Sequence, residues 1–161
     1  MSTAALIILG IDPGTVRVGY AVLETHNEPR VAECGLINVK SKDKIERLAE
    51  ISKTIKNIIS RWGIDILSIE ELFFFKNAKT AISVAEARGA IILTAIEAGL
   101  KVYEYTPLEV KQGVTGFGRA DKKQVAKMVQ LLTGLETSRL SDDTTDAIAI
   151  ALAAYSTKGR Y

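Results

Sequence analysis

Apolar residues in this chain fall into short runs whose spacing switches from strand-like to helix-like in a set order, and that order limits the available folds more than any other feature. Residues 6–12 form an apolar run closed by Pro13 and Gly14. Residues 16–24 and 31–39 are rich in β-branched side chains, with a turn at residues 26–29, so a three-stranded antiparallel meander is expected. Residues 44–62 then repeat apolar side chains at Ile45, Leu48, Ile51, Ile55, Ile58 and Ile59, a helical stripe that Gly63 ends. Strand character returns at residues 65–72. An Ala-rich helix follows over 77–98, a strand at 101–105, a glycine-punctuated loop at 113–118, a helix near 120–132 and a last helix from 141 to about 156. Strands alternating with helices after an opening meander predict an α/β fold. Its mixed five-stranded sheet would hold the meander and then parallel strands, with helices on both faces. Residues 1–156 are expected to form a single domain and 157–161 a short C-terminal tail.

With 161 residues, 47% of them apolar and 25% charged, the chain has the balance of a globular protein with a real core. Its longest uncharged apolar stretches, residues 89–96 and 147–155, fall short of the roughly 18–20 residues that a membrane-spanning helix requires. Residues 1–10 lack a basic leader and run straight into Asp12-Pro13-Gly14, which reads as a first strand, and a cytoplasmic location is expected. Cys34 is the only cysteine, in a strand-like run, so an internal disulfide and a thiolate zinc cluster are both excluded. His26, also single, lies in the polar turn between two strands. Any metal must therefore be held by oxygen.

The oxygen donors stand out by their placement. Asp12, Glu70, Asp143 and Asp146 each sit at or near the end of an apolar run, where an unpaired carboxylate is costly to desolvate. Asp12 would end the first strand and Glu70 the fourth, and if those strands are parallel neighbours both side chains open on one rim. Asp143 and Asp146 share a helical face, aligned with Ala149, Ile150 and Ala153. Asp142 and Asp143 could equally cap that helix, and Asp142 could pair with Asp146 at i,i+4. Glu70 and Glu71 point to opposite faces of their strand, so spacing alone leaves that choice open too. Carboxylates from two strand ends and one helix repel one another unless cations neutralise them, and Mg²⁺ or Mn²⁺ fits such a set. Two such ions about 4 Å apart clamp an in-line phosphoryl displacement, so the expected chemistry is phosphodiester hydrolysis. In that scheme Asp12 bridges the metals, Glu70 binds one, and Asp143 with Asp146 hold the other and orient the attacking water.

The surroundings of that cluster carry two further hints. Between residues 101 and 128 six basic residues (Lys101, Lys111, Arg119, Lys122, Lys123, Lys127) face three acids, a candidate phosphate-facing surface. The helix over 77–98 is apolar nearly all round, so more than one of its sides must be covered. The sheet covers one side, and either a partner subunit, giving a homodimer, or the domain's other helices cover the rest.

The element order βββαβαβαα resembles that of an RNase H-like domain. More specifically, a series of short pieces resembles the RuvC family of Holliday-junction resolvases across residues 6–155. They are Gly10-Ile11-Asp12-Pro13-Gly14 with Gly19-Tyr20, Ile69-Glu70 with Phe73 and Lys76-Asn77, Ala87-Arg88-Gly89, Val110-Lys111-Gln112, the run from Gly116 to Lys122, and Asp143-Thr144-Thr145-Asp146-Ala147. The resemblance implies a homodimer that uses Mg²⁺, two ions per site, to nick opposed strands of a four-way DNA junction symmetrically in homologous recombination and DNA repair. It also implies a branch-migration partner of the RuvA and RuvB type. Among the carboxylates it selects Glu70 and Asp143. It further implies that Phe73 stacks on an unpaired base at the junction centre and that Lys111 and Lys122 hold backbone phosphate, with Lys76, Asn77 and Arg119 as looser DNA contacts. Departures from the family pattern are few: Ala21 follows Tyr20 where glycine is frequent, and Phe117 stands where a polar residue is common.

Other readings share part of this pattern. Asp12-Pro13-Gly14-Thr15 followed by Arg17 resembles the first phosphate loop of actin-type and sugar-kinase-type ATPases, but those need two such domains and give no role to Asp143 and Asp146. A nuclease of the YqgF type acting on RNA shares the acidic residues, and the basic segment from Lys111 to Lys127 favours the resolvase over it. A non-catalytic junction-binding protein would not need the intact acidic set.

Overall fold

Gly63 and Asp43 show how closely the local chemistry sets the first helix. In the computed structural model, which describes residues 5–72 and 78–158, α1 (Lys44–Trp62) starts where the Asp43 carboxylate accepts the Ile45 and Glu46 N–H groups. It stops at Gly63, whose φ of 61° suits a residue without a side chain. Ile51, Ile55, Ile58 and Ile59 are buried as the stripe predicts, but Ile45, in the first turn, is exposed because at 3.6 residues per turn it falls at the edge of that face.

Strands β1 (Ile7–Asp12), β2 (Arg17–Thr25) and β3 (Pro29–Asn38) form the expected antiparallel meander. Two parallel strands, β4 (Ile66–Glu70) and β5 (Lys101–Tyr105), complete a sheet in the order β3-β2-β1-β4-β5. Alternation along the strands feeds two cores. On one face Leu9, Ile11, Val22, Leu67 and Ile69 meet α1 and α2 (Ala78–Glu97). On the other, Ile8, Ala21, Leu23 and Ile66 meet α5 (Asp142–Lys158), flanked by α3 (Pro107–Thr115) and α4 (Lys122–Thr133). Every residue from Ala147 to Ala154 is buried, and Ile148, Ile150 and Leu152 contribute about 1.5–3 kcal/mol each.

Two features depart from the sequence-based expectations. Helix α3 occupies part of what reads as a loop. Helix α5 takes in Thr157 and Lys158, where the tail was expected, because the Thr157 hydroxyl lies 2.8 Å from the Tyr105 hydroxyl and 3.0 Å from the Ala153 carbonyl. Of the two covers open for helix α2, the domain's own helices do not supply the second among the described residues: Ala87, Ile91 and Ala95 are buried against the sheet and α1, while Ile82, Leu93 and Ile96 are each 57% exposed. Phe73, Lys76 and Asn77 lie outside the described residues.

Candidate active site

Parallel pairing of β1 with β4 aligns Ile11 with Ile69, so the next residue on each strand, Asp12 and Glu70, stands at the same carboxyl-terminal rim. Antiparallel pairing places Gly19 of β2 opposite Asp12. Two glycines let α5 lie directly on these strands. A Cβ on Gly19 would sit 2.1 Å from the Asp143 carbonyl oxygen, and one on Gly10 would sit 2.3 Å from that of Ala147. The buried Ser68 hydroxyl, two residues before Glu70, donates to the Ile150 carbonyl at 2.7 Å and ties β4 to the same helix. Backbone contact therefore carries Asp143 and Asp146 to the rim that holds Asp12 and Glu70.

The electrostatics record that convergence. Burial, then the charges of Asp146, Glu70 and Asp143 and a hydrogen bond with Asp143, raise the Asp12 carboxyl from its ordinary 3.8 to about 8. Burial and the Asp146 charge push Glu70 up, with Lys111 and Lys122 pulling it part of the way back. Asp146 is raised by burial, opposed by Lys122, then raised further by Asp142 and Asp143. Arg17 stands 3.5 Å from Asp143, and Lys122 stands 3.6 Å from Asp142 and 3.9 Å from Asp146.

An open cleft of about 650 Å³ begins at Glu70 and Asp146 and runs between α3, α4 and α5, with Lys111 and Lys122 on its walls and Val110 and Val125 among its apolar lining. Arg119 is exposed on the α3–α4 loop, outside that lining. Arg88 is a residue that sequence spacing gave no reason to single out. Its Nε donates to the Glu70 carbonyl at 3.0 Å and its guanidinium pairs with Glu104, fixing the strand end that carries Glu70. The signals for it were its place in the Ala87-Arg88-Gly89 piece and its standing as the one arginine of a helix whose buried face is small and apolar. Spacing gives no sign of the Arg17–Asp143 and Lys122–Asp142 pairs, because each joins elements far apart in the chain.

A mixed sheet in this order, with carboxylates at the carboxyl ends of its two central strands and on the helix lying behind them, defines a protein of the RNase H-like class. The sequence profile of the family described as crossover junction endodeoxyribonuclease RuvC matches residues 8–154. A crossover junction endodeoxyribonuclease RuvC from Caldicellulosiruptor saccharolyticus is 49% identical over 148 residues, 90% of this chain and 89% of that one. The structure of Thermus thermophilus RuvC superposes with a TM-score of 0.87 at 31% identity, covering 96% of this chain and 97% of that one. The T. thermophilus RuvC in complex with Holliday junction substrate gives 0.85 at 32%, covering 92% of each. The chain belongs to the RuvC family of crossover junction endodeoxyribonucleases.

Membership implies dependence on a divalent metal, and the donor set fits one. All four candidates are hard carboxylate oxygens, and the raised Asp12 carboxyl marks a place where positive charge is favoured. Among the described residues no three His, Cys, Asp or Glu side chains close on one point, so the four form a charged cluster rather than a finished cage.

Proposed function

We propose that this chain resolves four-way (Holliday) DNA junctions by paired, symmetric nicks, in homologous recombination and DNA repair, using two divalent cations per site, Mg²⁺ with Mn²⁺ as a substitute. The observation that carries this reading is the convergence of carboxylates from β1, β4 and α5, where the charges of Asp146, Glu70 and Asp143 raise the Asp12 carboxyl, beside a lysine-walled cleft. In this reading Asp12, Glu70, Asp143 and Asp146 would hold the metals. When bound, such cations supply a nucleophile at neutral pH and counter-charge for the leaving oxygen. Lys111 and Lys122, on the walls of the cleft, take the phosphates on either side of the cut, and Arg119 extends the same surface. Asp143 with Asp146 would orient the attacking water, and Arg88 keeps Glu70 in register. Phe73, Lys76 and Asn77 follow Glu70 closely in the chain, and the family resemblance assigns them to DNA contact.

The exposed apolar face of α2 supports a homodimer. Ile82, Leu93 and Ile96 share that exposure with Gly89, at which a Cβ would meet no neighbour, so a second copy can approach closely there. A branch-migration complex of the RuvA and RuvB type, and work in the cytoplasm, belong to the same reading. Among the described residues no helix is long and apolar enough to cross a membrane. The test is direct: an end-labelled four-way junction, a linear duplex and an RNA–DNA hybrid are each incubated with the protein in Mg²⁺ or in EDTA. Paired nicks confined to the junction and to Mg²⁺ are expected; cutting of the hybrid in preference would overturn the reading.

A further inference from the structure

Phe117 is the one exposed aromatic among the described residues, with 56% of its surface in solvent. Its loop is nevertheless firmly built. The Thr115 hydroxyl accepts the Phe117 N–H at 3.0 Å and lies 2.8 Å from the Lys111 carbonyl and 2.9 Å from that of Phe117. Gln112 Nε2 donates to the Gly116 carbonyl at 2.9 Å, Gly116 takes a φ of 76°, and the buried Ala120 donates its N–H to the Phe117 carbonyl at 3.1 Å. Gly118 presses against Leu108, whose Cγ would lie 3.0 Å from an added Cβ. The backbone is thus held on both sides while more than half of the Phe117 surface stays open to solvent. An exposed ring on a fixed loop is apolar surface ready to be covered.

The neighbouring charges indicate by what. Lys111, Arg119, Lys122 and Lys123 surround this loop in sequence, and the two acids of the segment are occupied as helix caps. Glu109 accepts the Thr106 N–H, and Asp121 accepts the Gln124 N–H. Lys122, which stands beside Asp146, is only five positions on from Phe117, a span of at most about 17 Å. Cations that track a phosphate backbone with an aromatic ring between them are the pattern of single-strand binding, where every base offers a face to stack on.

We propose that Phe117 stacks on an unpaired nucleobase of the strand that passes from the catalytic cleft over the α3–α4 loop. This rests on the proposed DNA-cleaving function and assigns that strand a second point of hold. Stacking differs from phosphate contact in its salt dependence, because no counterion is released by a ring.

The test measures binding in EDTA to a four-way junction, an oligothymidine single strand and a linear duplex, over a range of salt, for wild type, Phe117→Ala, Phe117→Leu and Phe117→Trp. Leu131→Ala, at another exposed apolar position on α4, serves as the control. Phe117→Ala and Phe117→Leu should lose about tenfold in affinity for the junction and the single strand and less than twofold for the duplex, with an unchanged salt slope. Phe117→Trp should retain affinity, and its added indole fluorescence should be quenched on binding. Leu131→Ala should match wild type. The proposal is overturned if Phe117→Ala binds the single strand as wild type does, if the duplex loses as much, or if Phe117→Leu is as good as phenylalanine. Failure of wild type to prefer the junction would count against the proposed function instead, and the single-strand arm would still decide the role of Phe117.

Discussion

Replacing Asp12 with asparagine should make the metal-free protein more stable. Asp12 ionises at 3.8 in an ordinary setting and at about 8 in the fold, so between those values the folded state binds a proton that the unfolded chain does not. Stability then falls as pH rises through that window: it is undiminished below about 4, and the penalty is complete above about 8. At pH 7 the gap between 7 and 3.8 corresponds to about 4 kcal/mol at full value, from about 1.4 kcal/mol per unit. Relaxation and water entry reduce this, and a gain of about 2 kcal/mol is a fair expectation for Asp12→Asn. For a chain of this length that corresponds to a rise of roughly 4–8 °C in Tm.

Thermal melts in EDTA at pH 5 and pH 8 provide the assay. Wild type should lose stability between the two, and Asp12→Asn should lose markedly less; Glu70 and Asp146, raised in the same direction, leave a residual slope. Mg²⁺ should reverse the order, because a cation bound only by the folded state at a hundredfold excess over its Kd stabilises by about 2.7 kcal/mol. Wild type should gain that and Asp12→Asn little of it. If Asp12→Asn melts no higher than wild type in EDTA at pH 8, the picture of mutually repelling carboxylates is wrong.

Three further outcomes follow from the same geometry. Asp146→Asn should keep junction binding and lose cutting, seen by comparing gel shifts in EDTA with nicking in Mg²⁺. Gly19→Ala would put a Cβ 2.1 Å from the Asp143 carbonyl oxygen, so it should cost about 2–3 kcal/mol in urea unfolding and lower cutting more than junction binding. Leu93→Asp, on the exposed face of α2, should leave the fold intact by circular dichroism and yield monomers by sedimentation.

Most of the fold was legible because it is written in alternation and in helical stripes, which report burial directly. Helix α3 was not, because Gly113, Gly116 and Gly118 read as breakers. Only Gly116 works as one, ending the helix at φ 76°. Gly113 lies inside the helix because a Cβ there would meet Ser156 Oγ at 2.9 Å and the Ala153 Cα at 3.0 Å. It permits close packing on α5 and breaks nothing. The signal that would have found α3 is Thr106-Pro107-Leu108-Glu109, a capping box with proline in the first turn, and both reciprocal hydrogen bonds of that box are formed. Ile45 misled in the opposite direction: at 3.6 residues per turn it stands at the edge of the buried face of α1, and an edge position can go either way.

The acidic residues were legible as candidates, since carboxylates beside apolar runs stand out, but their selection was not. Spacing left Asp142 and Asp143 both open as partners of Asp146, and backbone packing separates them. The Asp143 backbone is pressed onto Gly19, its side chain is one-third exposed, and its charge acts on Asp12. The Asp142 side chain is 88% exposed and meets Lys122 from the solvent side. Glu70 and Glu71 divide by a similar logic. Parallel register sets Glu70 beside Asp12, and its charge raises the Asp12 carboxyl. The next peptide turns toward β5, where the Glu71 N–H donates to the Tyr105 carbonyl at 2.8 Å, and Glu71 is absent from the charges that raise Asp12. The first choice rests on how closely the α5 backbone can approach β2 and the second on strand register, and in the sequence neither leaves much trace beyond Gly19.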